Sequence, residues 1–427
     1  MDRKKKGLSS DTKCALLLKV TDEIRDTLDL DLILNYLLDT IHTIIPFDAA
    51  GIFVLNRAIG DLIPNRSRTI IAGVAQRGFD PGPPEYDTML TTGAGIIGHV
   101  IRTAESVLVS DIRLDTRYVE GRKSTLSEIA VPIIKQQRAM GALNLESDRA
   151  GAFSTLDLET LRFFAIVAGM AIDKVLLHRQ LIEKQRIEEQ ILMARDVQTQ
   201  LLPHEAPVID GYEIDGICIP CHQLGGDYFD YIPIQDRAWG FVVADVSGKG
   251  ISAALIMSAF RALLRANMQQ NPDPSFIGDV LNRQLPESSR KSDFVTASYG
   301  VLTPETGEFL YSNFGNTPPV LIRADGSTEE LITGGPVLGV FQSAGYSKAA
   351  VLLNPGDMVM LYTDGVIECL DREENQYGFE RLLDITRQTR HLAPWEIIHA
   401  IIRSTREFTG NEAYTDDFTV MILRRVP

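Results

Sequence analysis

The chain has 427 residues, 44% of them hydrophobic and 23% charged, a composition typical of globular proteins rather than disordered or fibrous ones. Its 57 acidic and 42 basic residues give a net charge of −15, which disfavours nucleic-acid binding. Four cysteines are too few for a disulfide framework, and no stretch reaches about 18 apolar residues. We therefore expect a cytoplasmic protein that neither spans a membrane nor carries a signal peptide.

The first region, residues 11–175, is predicted to be an α+β domain with helices at both ends. A helical period over residues 28–45 is followed by an apolar alternation at 49–56, which indicates a helix and then a strand. Further strand-like runs precede a last helix that begins at Ser154 or Thr155, both of which are good N-cap residues.

The order of these elements, with "GAGIIGHVIRTAESVLVSDI" and "VPIIKQQRAMGALNLES", resembles a GAF sensory domain. The resemblance implies a regulatory domain, but the ligand is unknown. Phe153 and Asp157 match half of the family's cyclic-nucleotide signature. Leu158 takes the place of its glutamate and Asn144 is followed by Leu145 rather than lysine, which weakens a cyclic-nucleotide interpretation.

Residues 176–203 are predicted to form a helical linker, because residues 173–202 contain neither glycine nor proline and Pro203 follows. One stripe on this helix suits a two-helix seam, and it consists of Ile187, Ile191, Ala194, Gln198 and Leu201. The stripe predicts a homodimer through the GAF domain and the linker. The alternative is a helix that lies on the following domain.

The third region, residues 205–427, combines apolar strand-like runs, joined by Gly, Pro or Asp turns, with two longer helical segments. This pattern predicts an α+β sandwich. Aspartates recur where the apolar runs begin or end, namely Asp227, Asp245, Asp364, Asp416 and Asp417. Any one of them could be an ordinary turn residue. Several carboxylates that converge would repel one another without a cation, and oxygen ligands suit Mg²⁺ or Mn²⁺ better than Zn²⁺.

The ordered motifs "GGDYFD", "ADVSGKGISAAL", "LNPGDMVMLYTDGVIE" and "DDFTVMIL" resemble the metal-dependent PPM (PP2C-like) serine/threonine phosphatases, in particular their bacterial SpoIIE/RsbU branch. The resemblance implies an α-β-β-α sandwich with two Mn²⁺ or Mg²⁺ ions. Asp245 would bridge both ions and the carbonyl of Val246 would complete the shell of one. Asp364 and Asp416 would bind the second ion, and Asp227 would orient bound water.

The same resemblance implies hydrolysis without an enzyme nucleophile. The substrate would be a phosphoserine or phosphothreonine protein, typically an anti-sigma-factor antagonist of a partner-switching pathway. Asp417 is the less favoured alternative to Asp416 as a metal ligand. Asn316 and Ser247 stand where relatives have histidines, so the general acid is unassigned. Lys249 is either the cation that holds the phosphate or a solvent-facing lysine.

Two other classes of function fit part of the sequence. A GAF domain before a Gly-Gly-Asp motif is compatible with a cyclic-dinucleotide cyclase, and a degenerate metal site would leave a non-catalytic scaffold. Cys218, Cys221 and His222 form a C-x-x-C-H motif that could indicate zinc, haem or redox chemistry. Since no second ligand pair and no helix start accompany the motif, we expect ordinary strand packing.

Overall fold

The computed structural model describes residues 27–55, 71–79, 93–287, 293–341, 344–410 and 413–426. These residues form two compact units that divide between Arg186 and Ile187. The start of the predicted first domain, residues 11–26, lies outside the described residues. We describe each unit by itself.

The first unit is built around one antiparallel sheet. Its strands are β1 (Ala49–Leu55), β2 (Ile71–Arg77), β3 (Val107–Val109), β4 (Ser127–Lys135) and β5 (Arg138–Ser147). They lie in the order β2-β1-β5-β4-β3. The helices are α1 (Leu30–Ile44), α2 (Gly95–Thr103) and α3 (Thr155–Thr199), of which α3 continues into the second unit.

The sheet of the first unit has an apolar core on each face. Helix α1 buries Leu34, Leu37, Leu38 and Ile41 against one face, a spacing of three and four residues that gives a helix one apolar side. Asp29 caps this helix by accepting the amide of Leu32 at 3.1 Å. The early turns of α3 pack into the same core, whereas α2 packs on the opposite face. The predicted α+β domain with terminal helices is confirmed.

Helix α3 joins the predicted last helix of the first domain and the predicted linker into 45 continuous residues. Ser154 begins it, because its hydroxyl accepts the amide of Asp157 at 3.3 Å while the Asp157 carboxylate accepts the amide of Ser154 at 2.9 Å. Residues 179–190 are exposed. The helix ends at Thr199, four positions before Pro203, and the predicted homodimer seam stays a prediction.

After the end of α3, the described residues of the second unit form two sheets and four further α-helices. Its strands are β6 (Tyr212–Ile219), β7 (Tyr228–Pro233), β8 (Trp239–Val246), β9 (Val295–Thr303), β10 (Glu308–Phe314), β11 (Val320–Ile322), β12 (Thr328–Glu330), β13 (Gly334–Gly335), β14 (Ala349–Leu352), β15 (Met358–Tyr362) and β16 (Phe418–Arg425). Its helices are α4 (Ile251–Met268), α5 (Pro274–Gln284), α6 (Phe379–Thr389) and α7 (Pro394–Phe408).

The two sheets of the second unit pack face to face between two layers of helices. One sheet has the order β13-β10-β9-β8-β7 with β14 beside β10, and the other has the order β12-β11-β15-β16-β6. One apolar core lies between the sheets. Helices α4 and α5 cover the first sheet, and α6 and α7 cover the second. The predicted α-β-β-α sandwich is confirmed.

Helix α4 has the length and composition of a membrane span. Its apolar side, however, belongs to the core of the second unit. Met257, Phe260 and Leu264 are fully buried there, between the helix and the first sheet. The apolar character of the helix therefore has an explanation in the packing of this unit.

Candidate metal centre

The predicted aspartates lie at the ends of strands from both sheets of the second unit. Asp227 directly precedes β7, and Asp245 is the next-to-last residue of β8 in the same sheet. In the facing sheet, Asp364 comes two residues after β15, and Asp416 and Asp417 come immediately before β16. Rigid strand ends from two layers thus present carboxylates to one region.

Asp245 lies at the centre of this group. Its carboxylate lies close enough to Asp364, Asp416 and Asp227 to interact electrostatically with each of them. Burial, followed by the charges of Asp364 and Asp416, raises the pKa of Asp245 to about 7. Burial and the charge of Asp416 also raise the pKa of Asp364. The structure brings together the aspartates that the sequence predicted to converge, with Asp417 also acting on Asp245 and Asp227.

Asp227 is the most enclosed member, with only 2% of its surface exposed. Its Oδ2 accepts hydrogen bonds from the hydroxyls of Thr363 (2.8 Å) and Thr419 (2.5 Å), which lie on the facing sheet's side of the site. Burial, then the charges of Asp245 and Asp417, raises the pKa of Asp227 well above its usual range. Sequence reasoning missed both threonines, although each lies within two residues of a predicted aspartate.

Asp416 and Asp417 differ sharply in their surroundings. Asp417 is buried, and its two oxygens accept the amides of Cys221 (2.8 Å), Gly226 (2.6 Å) and Asp227 (3.3 Å). Its carboxylate is therefore committed to anchoring the loop before β7. The side chain of Asp416 is 47% exposed and leaves its oxygens accessible to solvent. Asp416 is the better candidate ligand.

Gly225 and Gly226 allow this loop to approach its anchor closely. A Cβ on Gly225 would lie 2.7 Å from Oδ2 of Asp417, and a Cβ on Gly226 would lie 2.8 Å from the carbonyl oxygen of Val246. Both distances are too short for a real Cβ contact. In the structure they make room for the Asp417 carboxylate and the Val246 carbonyl.

Lys249 lies at the rim of the site. Its Nζ is 3.1 Å from Oδ2 of Asp416 and donates a 2.6 Å hydrogen bond to the carbonyl of Thr415. The lysine thus has a partner among the predicted ligands. The pair is about half exposed on both sides, so a cation or an anionic substrate can compete for either member.

The two residues that replace family histidines have structural contacts. Asn316 is buried and donates hydrogen bonds to Oγ of Ser298 (3.1 Å) and the carbonyl of Tyr362 (3.4 Å). Ser247 accepts the amide of Phe294 at 2.8 Å and donates its own amide to that residue's carbonyl at 3.0 Å. Each residue ties neighbouring strands or loops together, and the general acid stays unassigned.

The cysteine motif has no arrangement that would favour thiolate chemistry. Cys218 lies in β6, as the sequence predicted, and burial raises its pKa well above the usual range. Burial and the charge of Asp417 raise the pKa of Cys221 to about 12. His222 is exposed. Cys221 does lie close to Asp416 and Asp417, within the range of a shared metal ion.

The end of helix α3 contacts the loop that carries Asp227. Gln198 donates a 2.7 Å hydrogen bond to the carbonyl of Gly225 and accepts that residue's amide at 3.2 Å. Leu201, from the same predicted stripe, packs against the core of the second unit, and its carbonyl accepts a hydrogen bond from Arg261. Gln198 and Leu201 therefore lie on the domain that follows the linker, as the alternative interpretation of the linker predicted.

The residues present fit a divalent cation site. Asp245, Asp364 and Asp416 supply oxygen ligands only, and the charge of Asp416 contributes to the raised pKa values of both Asp245 and Asp364. A cation would remove this repulsion. The carbonyl of Val246 lies beside the loop that leads to Asp227 and is available as a neutral oxygen ligand.

The two halves of the chain match two family models. Residues 27–173 match the GAF domain, and residues 235–426 match stage II sporulation protein E (SpoIIE). Over 246 residues the chain is 31% identical to the phosphoserine phosphatase RsbU of Bacillus subtilis, an alignment that covers 57% of this chain and 72% of RsbU. The chain belongs to the SpoIIE family of PP2C-like phosphatases.

Two further proteins are similar to this chain. The phosphoserine phosphatase RsbP of Bacillus subtilis is 28% identical over 206 residues, which is 47% of this chain and 50% of RsbP. The SiaA-PP2C domain of Pseudomonas aeruginosa superposes with a TM-score of 0.51 at 20% identity, covering 57% of this chain and 98% of that domain. The similarity to the SiaA-PP2C domain shows a shared fold alone.

Proposed function

We propose that this chain is a divalent-cation-dependent phosphatase that hydrolyses phosphoserine or phosphothreonine in a protein and is controlled by its GAF domain. The observation that carries the proposal is the convergence of Asp227, Asp245, Asp364 and Asp416 from two facing sheets. The names of RsbU and RsbP, both phosphoserine phosphatases, support the same reaction. An anti-sigma-factor antagonist is the proposed substrate, by resemblance to this family.

In this proposal two ions would be held by Asp245 together with the carbonyl of Val246, Asp364 and Asp416. Mn²⁺ or Mg²⁺ bound there would activate water and stabilise negative charge on the phosphoryl oxygens. Asp227, whose Oδ2 is held by the hydroxyls of Thr363 and Thr419, would orient water at the site.

The alternatives have less support. The Gly-Gly-Asp sequence that suggested a cyclase lies in a loop anchored by Asp417 within a phosphatase sandwich. A non-catalytic scaffold would not need four mutually repulsive carboxylates at one place, because such a group costs stability without a cation.

The deciding experiment measures hydrolysis of p-nitrophenyl phosphate and of a phosphoserine protein by the full chain. We expect chelation to abolish activity and Mn²⁺ or Mg²⁺ to restore it better than Zn²⁺, because nitrogen and sulfur ligands are absent from the proposed set. Asp364→Asn should lower the rate on the order of 100-fold, because it removes one ligand charge. Hydrolysis that persists in chelator, or full activity of Asp364→Asn, would refute the proposal.

A further inference from the structure

The second unit contains an open groove between the last turns of helix α3 and the start of helix α4. The loop before β7 forms the rest of its wall. The volume of the groove is about 570 Å³, and clefts of about 300–1,000 Å³ hold ligands of drug size. The groove is therefore large enough for a short stretch of peptide.

The groove adjoins the candidate metal centre. Cys221 belongs to its wall, and the sulfur atom of this residue lies within 4.8 Å of a carboxylate oxygen of Asp416 and of one of Asp417. Asp416 is a proposed ion ligand, so a phosphoserine bound at the ions would have its neighbouring residues beside this wall. Since an extended peptide advances about 3.3 Å per residue, about three residues on either side of the phosphoserine are within reach of the groove.

The wall of the groove is cationic, in contrast to the metal centre beside it. Arg195 has an exposed side chain that pairs with no carboxylate in the described part of the chain, and His222 is exposed as well. No acidic residue is among the described residues that line the groove. Gly250 and Ile251 bring the N-terminus of α4 to the wall, and a helix N-terminus favours negative charge. In a chain with a net charge of −15, such a wall is suited to an acidic ligand.

The remaining wall of the groove is mostly apolar. Ile191, Leu224 and Ile251 contribute to it, and Ile251 is 56% exposed. Apolar surface that is bordered by polar groups is typical of a site that contacts another protein. Ile191 belongs to the stripe of α3 that could form a dimer seam, so a second copy of this chain is the competing occupant.

We propose that this groove binds the segment of the phosphoprotein next to its phosphoserine, and that Arg195 selects substrates with an acidic side chain in that segment. The inference rests on the phosphatase function proposed above. The guanidinium of Arg195 would donate two parallel hydrogen bonds to the carboxylate, and the apolar wall would contact the peptide on either side of it.

The test compares phosphoserine peptides that differ in one residue. Each peptide carries a single Asp at one of the three positions before or after the phosphoserine, and its matched control carries Asn there. We measure kcat/KM with the full chain at saturating Mn²⁺, and p-nitrophenyl phosphate reports on the metal centre without a peptide. We expect Asp to raise kcat/KM about three- to fivefold over Asn at one or more positions, the gain typical of a partly exposed ion pair.

Two variants and one control assign this preference to Arg195. Arg195→Gln should bring the ratio of the Asp and Asn peptides to about one, and Arg195→Glu should reverse it, so that a Lys peptide becomes the better substrate. Arg186→Gln is the control, because this arginine is exposed on the same helix and lies nine residues earlier, roughly 180° around the helix axis. The control should keep the wild-type ratio.

The outcomes separate this inference from the proposed function. If wild type hydrolyses p-nitrophenyl phosphate but treats Asp and Asn peptides alike at every position, the selection of acidic substrates is wrong and the phosphatase function stands. If no substrate is hydrolysed with any divalent cation, both are wrong. A wild-type peptide preference in Arg195→Glu would exclude Arg195 as its source. A change in the sedimentation of Arg195→Glu without a change in peptide preference would make the groove a contact between two copies of the chain and overturn the inference.

Discussion

The amide of Gly226 donates a 2.6 Å hydrogen bond to Oδ2 of Asp417, so the second aspartate of the "DDFT" motif anchors the loop in front of β7. Its neighbour Asp416 keeps a half-exposed side chain beside Lys249. Two adjacent carboxylates therefore have different roles, one in holding a loop and the other at the proposed ion site.

The first prediction compares these neighbours. Asp416→Asn should lower phosphatase activity on the order of 100-fold and change the free energy of unfolding little, because its side chain is half exposed. Asp417→Asn should destabilise the protein by about 1–3 kcal/mol, because a buried carboxylate with three amide donors is lost. Urea unfolding and initial rates at saturating Mn²⁺ measure both effects. The reverse pattern would make Asp417 the metal ligand.

The second prediction concerns Lys249, which pairs with Asp416 at 3.1 Å. Lys249→Met should lower the Mn²⁺ concentration for half-maximal activity about two- to fivefold, since an exposed ion pair no longer competes with the cation. Lys249→Arg is the control, because it keeps the charge. An unchanged Mn²⁺ requirement with a reduced kcat/KM for phosphoprotein would instead assign the lysine to phosphate binding.

The third prediction concerns the contact between Gln198 and Gly225. Gln198→Leu removes both hydrogen bonds to the Gly225 backbone while nearly keeping the side-chain size. The loop that positions Asp227 should loosen, and we expect kcat/KM to fall about tenfold, since the misplacement of one group is costly in catalysis. Gln200→Leu, on an exposed side chain two positions away, is the control. Equal rates in both variants would show that the contact has no influence on the site.

The fourth prediction concerns pH and Glu128. Because burial and Glu146 raise the pKa of Glu128 in the folded state, the folded protein binds more protons than the unfolded chain above about pH 4.5. Stability should therefore fall as the pH rises from that value through the raised pKa. Glu128→Gln should remove part of this loss. Its stability relative to wild type should therefore be higher at pH 8 than at pH 5. Urea unfolding of both proteins at the two pH values measures this difference in stability. A difference that does not depend on pH would contradict the prediction.

The fifth prediction concerns the helical register of α3. Two residues inserted near Lys184, within the exposed stretch 179–190, rotate everything downstream by about 200°, whereas seven residues nearly restore the phase. We expect the first insertion to alter phosphatase activity and the second to preserve it. Sedimentation of the full chain tests the predicted homodimer in parallel. Equal activity of both insertions, or a strictly monomeric chain, would refute coupling through a dimeric helix.

Local patterns in the sequence predicted most of the fold. Apolar periods predicted helix α1 and strand β1 correctly, because each element is specified by residues close together in the chain. Motif order predicted the aspartates, since Asp245 and Asp364 occur beside strands that are easy to recognise. The helix boundary was less accurate: α3 ends at Thr199 rather than at Pro203. The amides of Leu201 and Leu202 donate to the carbonyls of Gln198 and Thr199, which are tighter turns than those of an α-helix.

Contacts between distant segments could not be predicted in the same way. Nothing near Asp417 in the sequence shows that its carboxylate accepts amides almost 200 positions earlier. The stripe that contains Gln198 had the spacing of a dimer seam, yet this side chain hydrogen-bonds to Gly225 of its own chain. No pattern in the sequence predicted that Glu128 and Glu146 are buried, because alternation along a strand does not show which face of the sheet is enclosed.

The proposed ligands come from two separate sheets, which share an apolar core. Asp245 belongs to the sheet covered by α4, and Asp364 and Asp416 flank strands of the sheet covered by α6. An ion held by all three would link the two sheets directly. We therefore expect removal of the cation to increase the rate of amide hydrogen exchange at the ends of β8 and β15. The concentration of the divalent cation would then set the rigidity of this domain as well as its chemistry.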